Sequence, residues 1–156
     1  MGRVYVVSFE NVAVTAAQDF FEIDPADDHP IAIHGWGIYQ STDLGDAAEE
    51  ILRLSIVRGH TTSGSGGSTA TPAPMYPTDT VASDTTAEIN YTTIACTAGT
   101  TMYVHYVNIR AGAEVWYPPE ARPLCSQVEV TIVLRLLAAP ADSLTMGGFL
   151  VYEEVL

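Results

Sequence analysis

His29 and His34, with Asp24, Asp27 and Asp28 just ahead of them, are the residues of this chain best suited by type to hold a metal ion. Imidazole nitrogen and carboxylate oxygen are ordinary donors to zinc and iron. The spacing argues against a shared ion, because residues five apart face opposite sides of an ideal strand, whereas a His-x-His pair projects both rings from one side. Turn carboxylates beside ordinary histidines describe the segment equally well. Asp24-Pro-Ala-Asp-Asp28 also lacks the Asp-x-Asp-x-Asp-Gly order that aims oxygens at calcium. His60 and His105 stand alone in sequence, and an isolated histidine is more often a hydrogen-bonded residue than a ligand. No metal and no cofactor is assigned.

Nucleophilic chemistry finds no better support. Ser63 stands two residues before Ser65 where a Gly-x-Ser-x-Gly elbow requires glycine. The run 59–74, Gly-His-Thr-Thr-Ser-Gly-Ser-Gly-Gly-Ser-Thr-Ala-Thr-Pro-Ala-Pro, would need a Gly-Lys-Ser/Thr ending to cradle phosphate, and the chain has no lysine. Carboxylate pairs for glycoside cleavage depend on separation in the fold and leave no mark in sequence. The reading is a protein without catalytic residues.

Two features suit binding instead. Trp116-Tyr-Pro-Pro-Glu120 clusters aromatic and proline residues that can stack on sugar rings or anchor a protein interface, or else fold back as a lid. Arg110 and Arg122 flank it, and arginine forks pair bidentately with carboxylates of a neighbouring subunit. The second feature is the Gly/Ser/Pro-rich run 59–74 itself, which lacks side chains to pack. It is expected to be a flexible arm that orders against a partner, with His60, Ser63, Pro72 and Pro74 among the contacting residues.

The 156 residues suit one domain burying about 70% of its unfolded surface. Six Lys+Arg against 19 Asp+Glu leave a net charge of -13, which repels phosphate backbones and anionic lipid. Nucleic acid and membrane are therefore not expected as partners. With 47% hydrophobic residues the chain is no disordered acidic tail. The apolar run 4–7 is broken by Ser8, Glu10 and Asn11 before a secretory core could form, so export is not expected. Cys96 and Cys125 read as two buried thiols rather than a disulfide framework.

Segments 4–9, 20–23, 31–39, 51–57, 102–109, 128–137 and 149–155 are rich in Val, Ile, Tyr and Thr and are separated by turn residues. They predict an all-β fold, an antiparallel β-sandwich of jelly-roll type, in which 59–74 is one long loop. Segment 128–137, a turn at Pro140-Ala-Asp142 and 147–152 are read as a closing hairpin with a long central strand. Residues 42–50 carry capping and acidic residues suited to a short helix.

The opening Met-Gly-Arg-Val-Tyr-Val-Val-Ser-Phe-Glu-Asn-Val-Ala-Val-Thr-Ala, the run Asp46-Ala-Ala-Glu-Glu-Ile-Leu-Arg-Leu with Arg58-Gly-His-Thr-Thr-Ser-Gly-Ser-Gly-Gly-Ser, and Val133-Leu-Arg-Leu-Leu-Ala-Ala-Pro-Ala-Asp142 resemble a family of small virion proteins of tailed bacteriophages. The resemblance spans nearly the whole chain. It implies a capsid cement (decoration) protein, made in the bacterial host cytoplasm, that trimerises as a jelly roll on the head surface and contacts the major capsid protein. A tail or host-recognition module binding glycan is the alternative.

Overall fold

The computed structural model describes residues 2–41, 49–94, 98–126 and 131–155. Its strands are β1 (Arg3–Val14), β2 (Gln18–Asp24), β3 (Ile31–Gln40), β4 (Ile51–His60), β5 (Ser68–Ala70), β6 (Ala73–Pro74), β7 (Thr86–Tyr91), β8 (Thr100–Asn108), β9 (Ala113–Trp116), β10 (Leu124–Cys125), β11 (Thr131–Leu136) and β12 (Leu144–Glu154). The one helical piece among the described residues is a 3-10 turn, Pro119–Ala121. None of their helices is long and apolar enough to cross a membrane.

Pairing is antiparallel throughout and makes two sheets. The first runs β10-β3-β12-β1-β6, with β9 also on β3; the second runs β5-β7-β2-β11-β4-β8. Period-2 alternation sets the core. On β1 it turns Tyr5, Val7 and Phe9 inward, and on β12 it turns Leu150 and Tyr152 inward opposite them. The second sheet answers with Phe21 and Ile23 from β2, Leu52, Leu54 and Ile56 from β4, and Ile132, Leu134 and Leu136 from β11. Aromatic rings cross the gap, with Phe9 and Phe21 centroids 5.3 Å apart. The expected all-β antiparallel sandwich is what the chain forms.

The closing hairpin is not. β11 lies between β2 and β4 in the second sheet, and β12 lies between β3 and β1 in the first, so the turn through Pro140 carries the chain across the core. A hairpin and an arch between sheets both need two apolar strands and a polar reversal. The local sequence is the same for either. The choice falls to the strands on each side: Ile132, Val133 and Leu134 are all buried, so β11 needs a neighbour at both edges and cover on both faces.

The Gly/Ser/Pro run, expected as one long loop, carries two short strands. It is laid on the sandwich itself: β5 pairs with β7, Ser65 bridges Thr93, and β6 pairs Ala73 and Pro74 with Val6 and Tyr5 of β1. The segment thus passes from the edge of one sheet to the edge of the other. Two of its glycines, Gly64 and Gly67, serve close approach between backbones, while Gly59 and Gly66 take positive φ. A Cβ on Gly67 would stand 2.1 Å from Ile89 O, and one on Gly64 would stand 2.8 Å from Thr93 O. Gly64 N donates to Glu22 Oε2 at 3.1 Å, so this stretch serves one oxygen of a buried carboxylate.

β7, β9 and the short β10 lie where no strand was expected. The predicted helix at 42–50 and the thiol Cys96 fall mainly outside the described residues, as do positions 128–130 of the predicted long strand. Cys125 is buried in the core, as expected for its half of the pair.

Candidate functional site

The residues expected to face a partner divide into those turned outward and those the fold uses itself. Trp116 and Tyr117 are adjacent but part company, as alternation on a strand end requires. Trp116 remains 52% exposed on the outer face of the first sheet, its ring 6.0 Å from that of Phe149. The close approach works because Gly35 lies beneath: a Cβ there would fall 2.6 Å from the indole. Glu114 accepts hydrogen bonds from the Trp116 indole N–H at 2.5 Å and the Tyr39 hydroxyl at 2.7 Å, which holds all three side chains in place. Those two donors bring the Glu114 carboxyl below the usual range.

Tyr117 is only 8% exposed, so it is not part of an aromatic platform. Trp36 Nε1 donates to its hydroxyl at 3.1 Å, and His105 Nε2 lies 3.0 Å from the same oxygen. Tyr103 packs on Tyr117 at 5.0 Å between centroids. These rings close one end of the sandwich between β3 and β8, and burial raises the Tyr117 phenol to about 12. The lid alternative describes Tyr117 and the platform describes Trp116.

The arginines expected to reach a neighbouring subunit are engaged at home. Arg110 pairs with Glu49 at 3.2 Å, and Arg122 pairs with Glu153 at 3.3 Å. His60 is buried, with Nδ1 3.0 Å from Ala98 O, and so presents nothing to a partner. Ser63 is exposed and donates to Glu88 at 3.0 Å, while Pro74 is exposed on β6 and Pro72 half-buried ahead of it. His29 and His34 serve different carboxylates. His34 Nε2 sits 2.8 Å from Glu153, whereas His29 groups with Asp84 and Glu154.

The surface that sequence reasoning missed is the exposed side of β4 and β8. Cross-strand neighbours Arg53 and Tyr106, and Ser55 and Val104, sit on it, with Ile51 one position along. Tyr106 is 71% and Ile51 65% exposed. Together with Thr101 and Leu137, four of these residues line an open hollow of about 290 Å³. One lining group, Ser55 Oγ, is buried without a hydrogen-bond partner. Alternation was legible in both segments. What could not be read was which strand ends the sheet, because β8 reaches β4 across some forty intervening residues.

Burial holds His105 and His60 below the ordinary value of 6.5. A ring that binds protons less readily folded than unfolded stabilises the fold above about pH 6.5, and that contribution is lost as pH falls through the folded value. Melting temperature is therefore expected to drop between about pH 7.5 and about pH 5.5. His105→Gln, which cannot charge, should show a shallower drop in parallel calorimetric scans. Equal slopes for the two proteins would show that His105 contributes nothing to the acid sensitivity.

No protein-family model matches the chain, and no curated protein or solved structure matches it either.

Proposed function

We propose that this protein is a non-enzymatic capsid cement protein of a tailed bacteriophage, which assembles as a homotrimer on the head and binds the major capsid protein. The observation that carries the reading is the uncovered strip on β4 and β8. Among the described residues β8 ends its sheet, and a sheet edge beside exposed Ile51, Val104 and Tyr106 is a surface that a monomer ordinarily covers or blunts. Aromatic anchors with an adjoining hollow are what a protein interface needs at its centre. The strand order supports the jelly-roll form of the sandwich: β1-β12-β3-β9 in one sheet, β2-β11-β4-β8 in the other, with first and last long strands side by side. The sequence likeness to small virion proteins agrees with it.

The test is to add purified protein to mature shells that lack it and to measure occupancy and the temperature of DNA release. A partner that binds only the intact shell stabilises it by about 2.7 kcal/mol per site at 100 times the dissociation constant. Saturable binding and a higher release temperature are expected. Tyr106→Asp should abolish both, since it places a charge where an apolar contact forms. Failure to bind shells would sink the cement reading.

A second reading rests on Trp116, an indole held half-exposed beside Tyr39 on the opposite face, as in a sugar-stacking platform. It makes the chain a tail or host-recognition module. Co-purification with tails, together with glycan binding that Trp116→Ala removes, would favour it.

A further inference from the structure

Three separate parts of the chain converge at the end of β12. The register of β12 on β3 finishes at Glu154 opposite Ile31, and Val155 N donates to Pro30 O at 2.7 Å. That pairing brings Glu154 beside the turn closed by His29 N donating to Ala26 O at 3.2 Å. Residues 83–85, just ahead of β7, approach the same carboxylate. Ser83 Oγ at 2.5 Å, Asp84 N at 2.9 Å, Thr85 N at 3.1 Å and Thr85 Oγ1 at 2.9 Å all donate to Glu154 Oε1.

The other carboxylate oxygen has been left out. Glu154 is 0% exposed, and its Oε2 is buried with no hydrogen-bond partner. His29 Nδ1 is in the same condition, buried and without a hydrogen bond. A buried polar group left without a partner is destabilising, the more so when it is a carboxylate. Buried polar groups usually find a partner, and these two residues belong with Asp84 to one cluster of possible metal ligands.

The geometry says what would serve them. His29 Nδ1 lies 3.4 Å from Asp84 Oδ2 and 3.4 Å from Asp28 Oδ1, longer than a good N–H···O hydrogen bond. Adjacent ligands of a tetrahedral ion with bonds of about 2.0–2.1 Å stand roughly 3.3–3.4 Å apart. One donor atom from each of His29, Asp84 and Glu154 lies within 4.8 Å of the other two. Asp84 is more than half exposed, which provides a way in.

We infer that His29, Asp84 and Glu154 bind one divalent transition-metal ion, with zinc the best match. One imidazole and two carboxylates form a mixed N/O set that suits zinc, whereas calcium and magnesium take oxygen shells. The four donors on Oε1 are the outer shell that orients the buried ligand. Water or Asp28 completes the coordination. The ion ties the β2–β3 turn, the approach to β7 and the end of β12 into one clip. This site is independent of the capsid reading and stands or falls separately.

The experiment uses tag-free, chelator-treated protein titrated with zinc chloride, followed by calorimetry and thermal melting. One ion per chain is expected, with a rise in melting temperature of roughly 5–10 °C at 100 times the dissociation constant. His29→Ala and Asp84→Ala should each weaken binding at least tenfold. Asp84 is exposed, so its variant should melt close to the parent protein without metal, which separates lost binding from lost folding. His34→Ala, whose ring serves Glu153, should bind zinc as the parent does. Absence of saturable one-to-one binding, or unchanged affinity in both ligand variants, overturns the site. An equal rise with calcium chloride overturns the assignment to a transition metal.

Discussion

A chain lacking residues 144–156 is expected to show no cooperative melting transition and to accumulate as insoluble material. β12 is the middle strand of its sheet, hydrogen-bonded to β1 on one side and β3 on the other. Its removal turns both neighbours into bare edges at once. It also withdraws Leu144, Met146, Leu150 and Tyr152 from the core, each at most 2% exposed. Burial of such side chains is worth about 1.5–3 kcal/mol each, so the four together rival the roughly 5–15 kcal/mol that hold a whole domain folded. Circular dichroism on heating and a sedimentation assay decide the matter. A soluble truncation with a sharp transition would mean that β1 and β3 can pair directly and that the core lies elsewhere.

Arg135→Ala is expected to lower stability by about 3–5 kcal/mol, a drop of roughly 6–20 °C in melting temperature. Arg135 and Asp19 face each other across β11 and β2, and the guanidinium grips the carboxylate with both arms, Nε to Oδ1 at 2.7 Å and Nη2 to Oδ2 at 3.1 Å. The Asp19 side chain is wholly buried and that of Arg135 nearly so. Loss of the cation strands an anion away from water, and that penalty exceeds the worth of the pair itself. Asp19→Leu combined with Arg135→Met should recover most of the loss, because neither charge then remains to be desolvated. A single variant that melts within about 2 °C of the parent would show that water reaches the site after all.

The fold class was legible because it depends on local pattern. Alternation of Tyr5, Val7 and Phe9, or of Leu52, Leu54 and Ile56, marks a half-buried strand wherever the strand later sits. So was the acidity that argues against nucleic acid. Partners of each strand were not legible, since pairing is decided by the whole set of edges competing for cover, and β11 and β12 went to different sheets although a short turn joins them. The glycines of 59–74 had two meanings that composition cannot separate, chain freedom or close contact, and for Gly64 and Gly67 only the backbones of Thr93 and Ile89 lying against them select the second.

The candidate sites show the same division. Sequence left the Trp116–Tyr117 cluster open between surface platform and buried lid and could not part the two rings, because the burial of Tyr117 depends on Trp36 and His105 arriving from two other strands. It weighed His29 against His34, its near neighbour in the chain, and found the spacing wrong for a shared ion. The tertiary structure instead sets His29 beside Asp84 and Glu154, 55 and 125 positions away, because the β12–β3 register and the approach to β7 end at one point. Residue types and their alternation are local properties and are written in the sequence. Which distant carboxylates come to lie beside which imidazole is a consequence of packing, and only the folded chain decides it.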